Sequence, residues 1–261
     1  MKNAVDYILS NLVFITRLPV KINFNYRSDA GNVKYFALVG LILGLIVWFV
    51  SLVSNYLFGS LVAATISTFT LAALTGGIHL DGLSDTADGL LSYRDKERAI
   101  EIMKDSRIGA MGVMALFAIL LLKISFLNLL IPRLPFFVIC MPIFGRLCIV
   151  NACYFGRPIT KSKLGAVFIG NMQTDEFFSI HPVYFFVMFF ISLLWGMKIK
   201  YILALWMTSL VLILFSKVFV QRVTMRIDGI SGDILGAICE IGEMLSLPIF
   251  YVGVLICDKL L

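Results

Sequence analysis

The chain has 261 residues, 60% of them hydrophobic and 15% charged, with 22 Lys and Arg against 16 Asp and Glu and a mean hydropathy of +0.95. A soluble domain is about 45–50% apolar and about 25% charged, so this composition excludes a water-solvated globule and points to lipid. The net charge of +6 therefore reads as the Lys and Arg of cytoplasmic loops and not as a nucleic-acid surface.

In chain order, Val5, Ile8, Leu9, Leu12 and Val13 recur at the spacing of one helix face and predict an amphipathic N-terminal helix on the membrane surface. Seven stretches then reach or approach the roughly 20 apolar residues that cross a bilayer: Tyr35–Phe58, Ser60–Gly76, Ile108–Ile131, Leu134–Phe155, Pro182–Met197, Tyr201–Ser216 and Ile234–Ile256. No internal repeat or low-complexity linker divides them. Residues 1–261 read as one integral membrane domain, an all-α, polytopic helical bundle of about seven transmembrane helices. Cys140, Cys148, Cys153, Cys239 and Cys257 lie in apolar stretches, form no C-x-x-C pair and read as buried reduced thiols.

The basic residues sort onto alternate sides of this map. Lys2, Arg17, Lys21, Arg27 and Lys34 precede the first span, and Arg94, Lys96, Arg98, Lys104 and Arg107 follow the second. Arg157, Lys161 and Lys163 follow the fourth span and Lys217, Arg222 and Arg226 the sixth. Only Arg133, Lys198, Lys200 and Lys259 fall on the other side, while Lys123 and Arg146 lie within spans. This bias predicts a multi-pass protein of the cell (inner, cytoplasmic) membrane with a cytoplasmic N-terminus.

The acidic residues cluster more than topology requires. Asp81, Asp85, Asp88, Asp95, Glu97, Glu101 and Asp105 crowd the link after the second span, and Asp228, Asp233, Glu240 and Glu243 open the seventh. Both clusters begin on the predicted cytoplasmic face, where they can converge on one site. Asp81, Asp85 and Asp88 fall at i, i+4 and i+7, one stripe of a helix on which like charges repel. Such a stripe is either a solvated acidic face or the partner of a hard divalent cation such as Mg2+, which one or two carboxylates bridge to substrate phosphates. The flanking Leu80, Leu83, Leu90 and Leu91 favour the cation.

Lys104 and Arg107, just before the third span, suit phosphate oxygens as well as ordinary anchoring. Ser231 is a candidate N-cap for a helix carrying Asp233, Gly236, Glu240 and Glu243 on one face. Glu240 and Glu243 fall at membrane depth, where a carboxylate is functional or paired, with Arg146 and Lys123 as the available partners. His79 reads as a base, a ligand or a hydrogen-bonded residue without a chemical role. Arg146 and Arg157 read as anion contacts or as counterions of those glutamates.

The run Thr75-Gly-Gly-Ile-His-Leu-Asp-Gly-Leu-Ser-Asp-Thr-Ala-Asp-Gly89, followed by Ile102-Met-Lys-Asp-Ser-Arg-Ile-Gly109, resembles the signature of the cobalamin synthase (adenosylcobinamide-GDP ribazoletransferase) family. Phe14-Ile-Thr-Arg-Leu-Pro19, the stretch from Tyr35 to Gly44, and Gly229-Ile-Ser-Gly-Asp-Ile-Leu-Gly236 resemble its other motifs; Arg146, Arg157 and Gly165 match its spacing. The resemblance covers most of the chain. It implies an Mg2+-dependent membrane enzyme that joins adenosylcobinamide-GDP to α-ribazole or its 5′-phosphate, releasing GMP and forming adenosylcobalamin or its phosphate. By the same resemblance, Asp81, Asp85 and Asp88 face the metal and diphosphate, and Lys104 and Arg107 the phosphate oxygens. Asp105, Asp233 or Glu240 is left to hold a second metal or take the hydroxyl proton.

The expected catalytic carboxylates are thus Asp81, Asp85, Asp88, Asp105, Asp233 and Glu240, with Asp81, Asp85, Asp88 and Asp233 as metal ligands. His79, Lys104, Arg107, Arg146, Arg157 and Asp228 are the expected substrate contacts. The expected partners are the two substrates and lipid, with no nucleic acid, and a homo-oligomer is compatible with the sequence. Asp85-Thr-Ala-Asp88-Gly89 also matches the D-x-x-D-G opening of CDP-alcohol phosphotransferases, but Ser92-Tyr-Arg94 follows and the second half of that motif is absent. A cation-coupled transporter predicts paired halves and a site at mid-membrane; here most acids flank the spans.

Overall fold

The computed structural model describes residues 4–20, 33–159, 168–194 and 199–260. Lys2, Lys21, Arg27, Lys161, Lys163, Gly165, Met197 and Lys198, which enter the charge count, one predicted span and the resemblance, lie outside them. The described residues form ten α-helices and no strand: α1 (Ala4–Ile15), α2 (Phe36–Phe58), α3 (Ser60–Thr75), α4 (Ile78–Leu90), α5 (Lys96–Ile102), α6 (Ala110–Leu130), α7 (Phe137–Phe155), α8 (Thr174–Leu194), α9 (Ile199–Ile227) and α10 (Gly232–Leu260).

Length decides which of these cross a bilayer. The 23 residues of α2 rise roughly 34 Å, enough for a hydrocarbon core of about 30 Å. Among the described residues, six helices pass on length and apolarity: α2, α6, α7, α8, α9 and α10. The 16 residues of α3 rise only roughly 24 Å. At its end the chain turns through 91° into α4. The predicted second span, Ser60–Gly76, is therefore too short to cross alone, and α3 and α4 pass only as a bent pair, the form of a broken span or a re-entrant loop. α8 begins well before Pro182 and α9 runs well past Ser216, because both helices carry their polar ends beyond the apolar stretch.

The hub is α7, buried on every side from Phe137 to Cys153. Apolar and small side chains surround it, the pattern of a helix enclosed by other helices. Small residues let its neighbours approach. A Cβ on Gly40 of α2 would lie 2.6 Å from the Pro142 carbonyl oxygen, and one on Gly44 would collide with that of Ile139. Gly145 of α7 packs in the same way on Cys239 and Glu243 of α10. This small-residue spacing is how helices gain close contact where lipid supplies no hydrophobic drive. Leu12 and Ile15 of α1 are buried in the same core, so that helix packs into the bundle with part of its apolar face. All five cysteines are buried and unpaired.

Candidate active site

The site begins at the break between α3 and α4. Gly76 and Gly77 both adopt left-handed backbone, with φ +63° and +72°, which side chains with a Cβ resist. The Gly77 N–H donates to Ala72 at 2.9 Å and the Gly76 N–H to Ala73 at 3.0 Å. These two bonds close α3 as a Schellman motif. α4 starts at once in a new direction, and its Asp81, Ser84 and Asp85 line one cavity together with Gly76 and Gly77 at the end of α3. Two glycines then bring the start of α10 against α4. A Cβ on Gly82 would stand 2.7 Å from the Asp233 carbonyl oxygen, and one on Gly236 3.1 Å from that of His79. The two acidic clusters converge here, with Asp81, Asp88 and Asp233 close enough to act electrostatically on Asp85.

Two cavities meet at this junction. One, of about 580 Å3, has an apolar wall that includes Phe14, Phe36, Ile149 and Phe168 and a polar side of His79, Asp81, Lys104, Ser231 and Asp233. The other, of about 510 Å3, is lined by Arg17, Asp81, Ser84, Asp85 and Ser106. Ile78 and Asp81 belong to both. Ser231 caps α10 as its sequence suggests: its hydroxyl accepts from the Ile234 N–H at 3.5 Å and donates to Asp233 at 3.1 Å, and its carbonyl accepts from the Leu235 N–H at 3.2 Å.

The remaining predicted residues go elsewhere. Asp88 turns its carboxylate to the start of α6, accepting from the N–H groups of Gly109 at 2.7 Å and Gly112 at 2.8 Å, a cap supplied from another helix. Asp105 and Arg107 pair with each other, Nη2 to Oδ2 at 2.7 Å. That bond holds the exposed Asp105 carboxyl down to about 2. Asp228 accepts from Lys96 at 2.9 Å and also pairs with Arg157, so it ties α5, the end of α7 and the α9–α10 turn together. Lys96 and Arg157 hold its carboxyl below the usual range. None of Asp88, Asp105, Arg107, Arg157 and Asp228 lines either cavity.

Glu240 and Arg146 belong to a buried ionic cluster. Lys123 of α6 donates to Glu240 and, at 2.6 Å, to Glu243 of α10, and Arg146 of α7 pairs with Glu243. Nη2 of Arg146 approaches Nδ1 of His79 at 3.5 Å. Two cations thus balance two carboxylates at membrane depth, and the cluster joins α4, α6, α7 and α10 behind the apolar cavity.

Residues 7–251 match the family model described as cobalamin-5-phosphate synthase. The chain belongs to the cobalamin-5-phosphate synthase family. Its relatives include three proteins named adenosylcobinamide-GDP ribazoletransferase. That of Clostridioides difficile (strain 630) is 34% identical over 246 residues, covering 92% of this chain and 95% of the relative. That of Clostridium botulinum (strain Langeland / NCTC 10281 / Type F) is 36% identical over 255 residues, covering 95% and 98%. That of Clostridium kluyveri (strain NBRC 12016) is 32% identical over 252 residues, covering 95% and 96%. No solved structure matches the chain.

In this synthase-family chain, Arg17 is the site residue that sequence reasoning passed over. Its backbone N–H donates to Leu74 at 2.7 Å, fixing the segment after α1 on the end of α3. Its side chain packs over Gly76, where a Cβ would lie 2.5 Å from Nε. Among the described residues its guanidinium has no ion pair, and it faces the cavity of Asp81 and Asp85. The signal lay in Phe14–Pro19, where Arg17 counts equally well as a membrane anchor.

Proposed function

We propose that the chain joins adenosylcobinamide-GDP to α-ribazole or its 5′-phosphate, releasing GMP, with Mg2+ and at the cytoplasmic face of the cell membrane. The carrying observation is Asp81, shared by an apolar cavity and an acid-lined one within the family's signature. In the reaction a ribose hydroxyl forms a bond to the phosphorus that bears the corrinoid side chain. The bridging P–O bond breaks, GMP leaves with its electron pair, and the hydroxyl proton passes to a carboxylate. Such a transfer depends on positioning and on neutralising charge.

Asp81 and Asp85 fit Mg2+, with the hydroxyls of Ser84 and Ser106 in the same cavity. Among the described residues no three carboxylate, imidazole or thiol groups form a ready-made cage. Mg2+ needs only one or two protein carboxylates when substrate phosphates complete its shell. When bound, it supplies charge neutralisation at the diphosphate. Arg17 and Lys104 are the cations nearest to take phosphate oxygens. Asp233 is the carboxylate best suited to the proton. Asp105, held to about 2 by Arg107, has little affinity for one, and Glu240 is occupied by Lys123.

Purified protein in lipid, supplied with Mg2+, adenosylcobinamide-GDP and α-ribazole, is expected to release one GMP for each adenosylcobalamin formed. A folded protein that releases none contradicts the proposal.

A further inference from the structure

The cavities that meet at Asp81 have walls of different chemistry. In the larger, α1, α2, α5, α7 and the segment before α8 contribute apolar side chains, while α4, the α5–α6 link and the start of α10 contribute all the polar groups together with further apolar ones, Ile78, Met103 and Leu235. Phe168 packs against Phe14 at 5.2 Å and against Phe36 at 5.6 Å between ring centroids, making an aromatic surface. We propose that this chamber is the acceptor subsite. It holds the aromatic base of the riboside against Phe14, which the buried Phe36 and Phe168 back, with the ribose hydroxyls toward Asp81 and Asp233, and the open cavity takes the diphosphate of the other substrate. The proposal rests on the transferase reading above.

Three considerations select this occupant. The chamber's volume of about 580 Å3 lies within the roughly 300–1,000 Å3 typical of small-ligand pockets, whereas a corrin ring with its side chains and nucleotide is several times larger than an aryl riboside. The corrin rim is studded with amides and the guanine edge with donors and acceptors. Against a wall of Phe and Ile these groups would lose water without finding partners, which is unfavourable. A benzimidazole ring presents two faces that stack and a six-membered edge of C–H or methyl groups, with its one free ring nitrogen on the five-membered ring that bears the ribose. A mainly apolar lining with a few polar groups, His79, Asp81, Lys104, Ser231 and Asp233, matches a riboside, which has one apolar end and one end rich in hydroxyls. Asp81 then stands between the attacking hydroxyl in one cavity and the diphosphate in the other.

The test uses the protein in proteoliposomes and separates the two Michaelis constants. Ile100→Phe narrows the chamber from α5 and Phe14→Leu removes its accessible aromatic face. Each is expected to raise KM for α-ribazole about tenfold, the scale of discrimination in an apolar pocket, while KM for adenosylcobinamide-GDP and kcat stay within about twofold. In the unaltered protein, benzimidazole alone is expected to compete with α-ribazole and not with adenosylcobinamide-GDP, and guanosine is expected not to compete with α-ribazole. A rise in the corrinoid KM instead, an unchanged α-ribazole KM in both variants, or competition of benzimidazole with the corrinoid overturns the assignment with the reaction intact. Absence of GMP release from the unaltered folded protein overturns the transferase reading, and the subsite with it.

Discussion

Carboxylates in this chain carry three kinds of work, told apart by their partners. Asp81 and Asp85 line a cavity and form no ion pair among the described residues, Asp88 caps a helix, and Glu240 and Glu243 are held by Lys123 and Arg146. Asp85→Asn keeps size and polarity, so it is expected to lower turnover about a hundredfold or more with an unchanged melting temperature in detergent. Activity near that of the unaltered enzyme would move the metal elsewhere. Lys123→Met does the reverse by leaving two buried carboxylates to one cation. Breaking a buried pair costs about 3–5 kcal/mol, read as a fall in melting temperature. The stripe of Asp81, Asp85 and Asp88 was legible because helical spacing is a property of sequence. That Asp88 serves α6, that Arg157 meets Asp228, and that Arg17 faces the acids depend on how distant segments cross, which no local spacing records.

The elements show why so few polar groups can be positioned inside so apolar a bundle. α7 is enclosed because α2 and α10 present glycines to it, and α4 is turned out of the line of α3 because Gly76 and Gly77 accept left-handed backbone. Gly44→Val is expected to force α2 from α7, since its Cβ collides with the Ile139 carbonyl. Overpacking of this kind costs about 1–3 kcal/mol, and thermal unfolding of the purified variant measures it; a melting temperature equal to the unaltered protein's would show that the two helices are not in close contact. The apolar stretches were legible because length and hydropathy decide what spans. The break was less so, because Ser60–Gly76 carries no charged residue and only its shortness sets it apart from a span. The encirclement of α7 was not legible, since an apolar helix has the same composition whether lipid or protein surrounds it.

At the scale of the whole molecule, composition and charge placement indicate lipid, and the convergence of α4 and α10 makes one site from two distant acidic clusters. The positive-inside bias predicts that the site faces the cytoplasm, so a reporter fused after Ser92 is expected to read cytoplasmic; an external signal would invert the arrangement. The central claim is that Asp81, at the meeting of the two cavities, serves ribazole transfer. It is tested most directly by measuring GMP released and adenosylcobalamin formed in proteoliposomes of the unaltered protein and of Asp81→Asn, with matched melting temperatures. The account predicts equal amounts of the two products from the unaltered protein and a rate lower by about a hundredfold or more in the variant. A folded unaltered protein that releases no GMP, or an Asp81→Asn protein that turns over at the same rate, would contradict it.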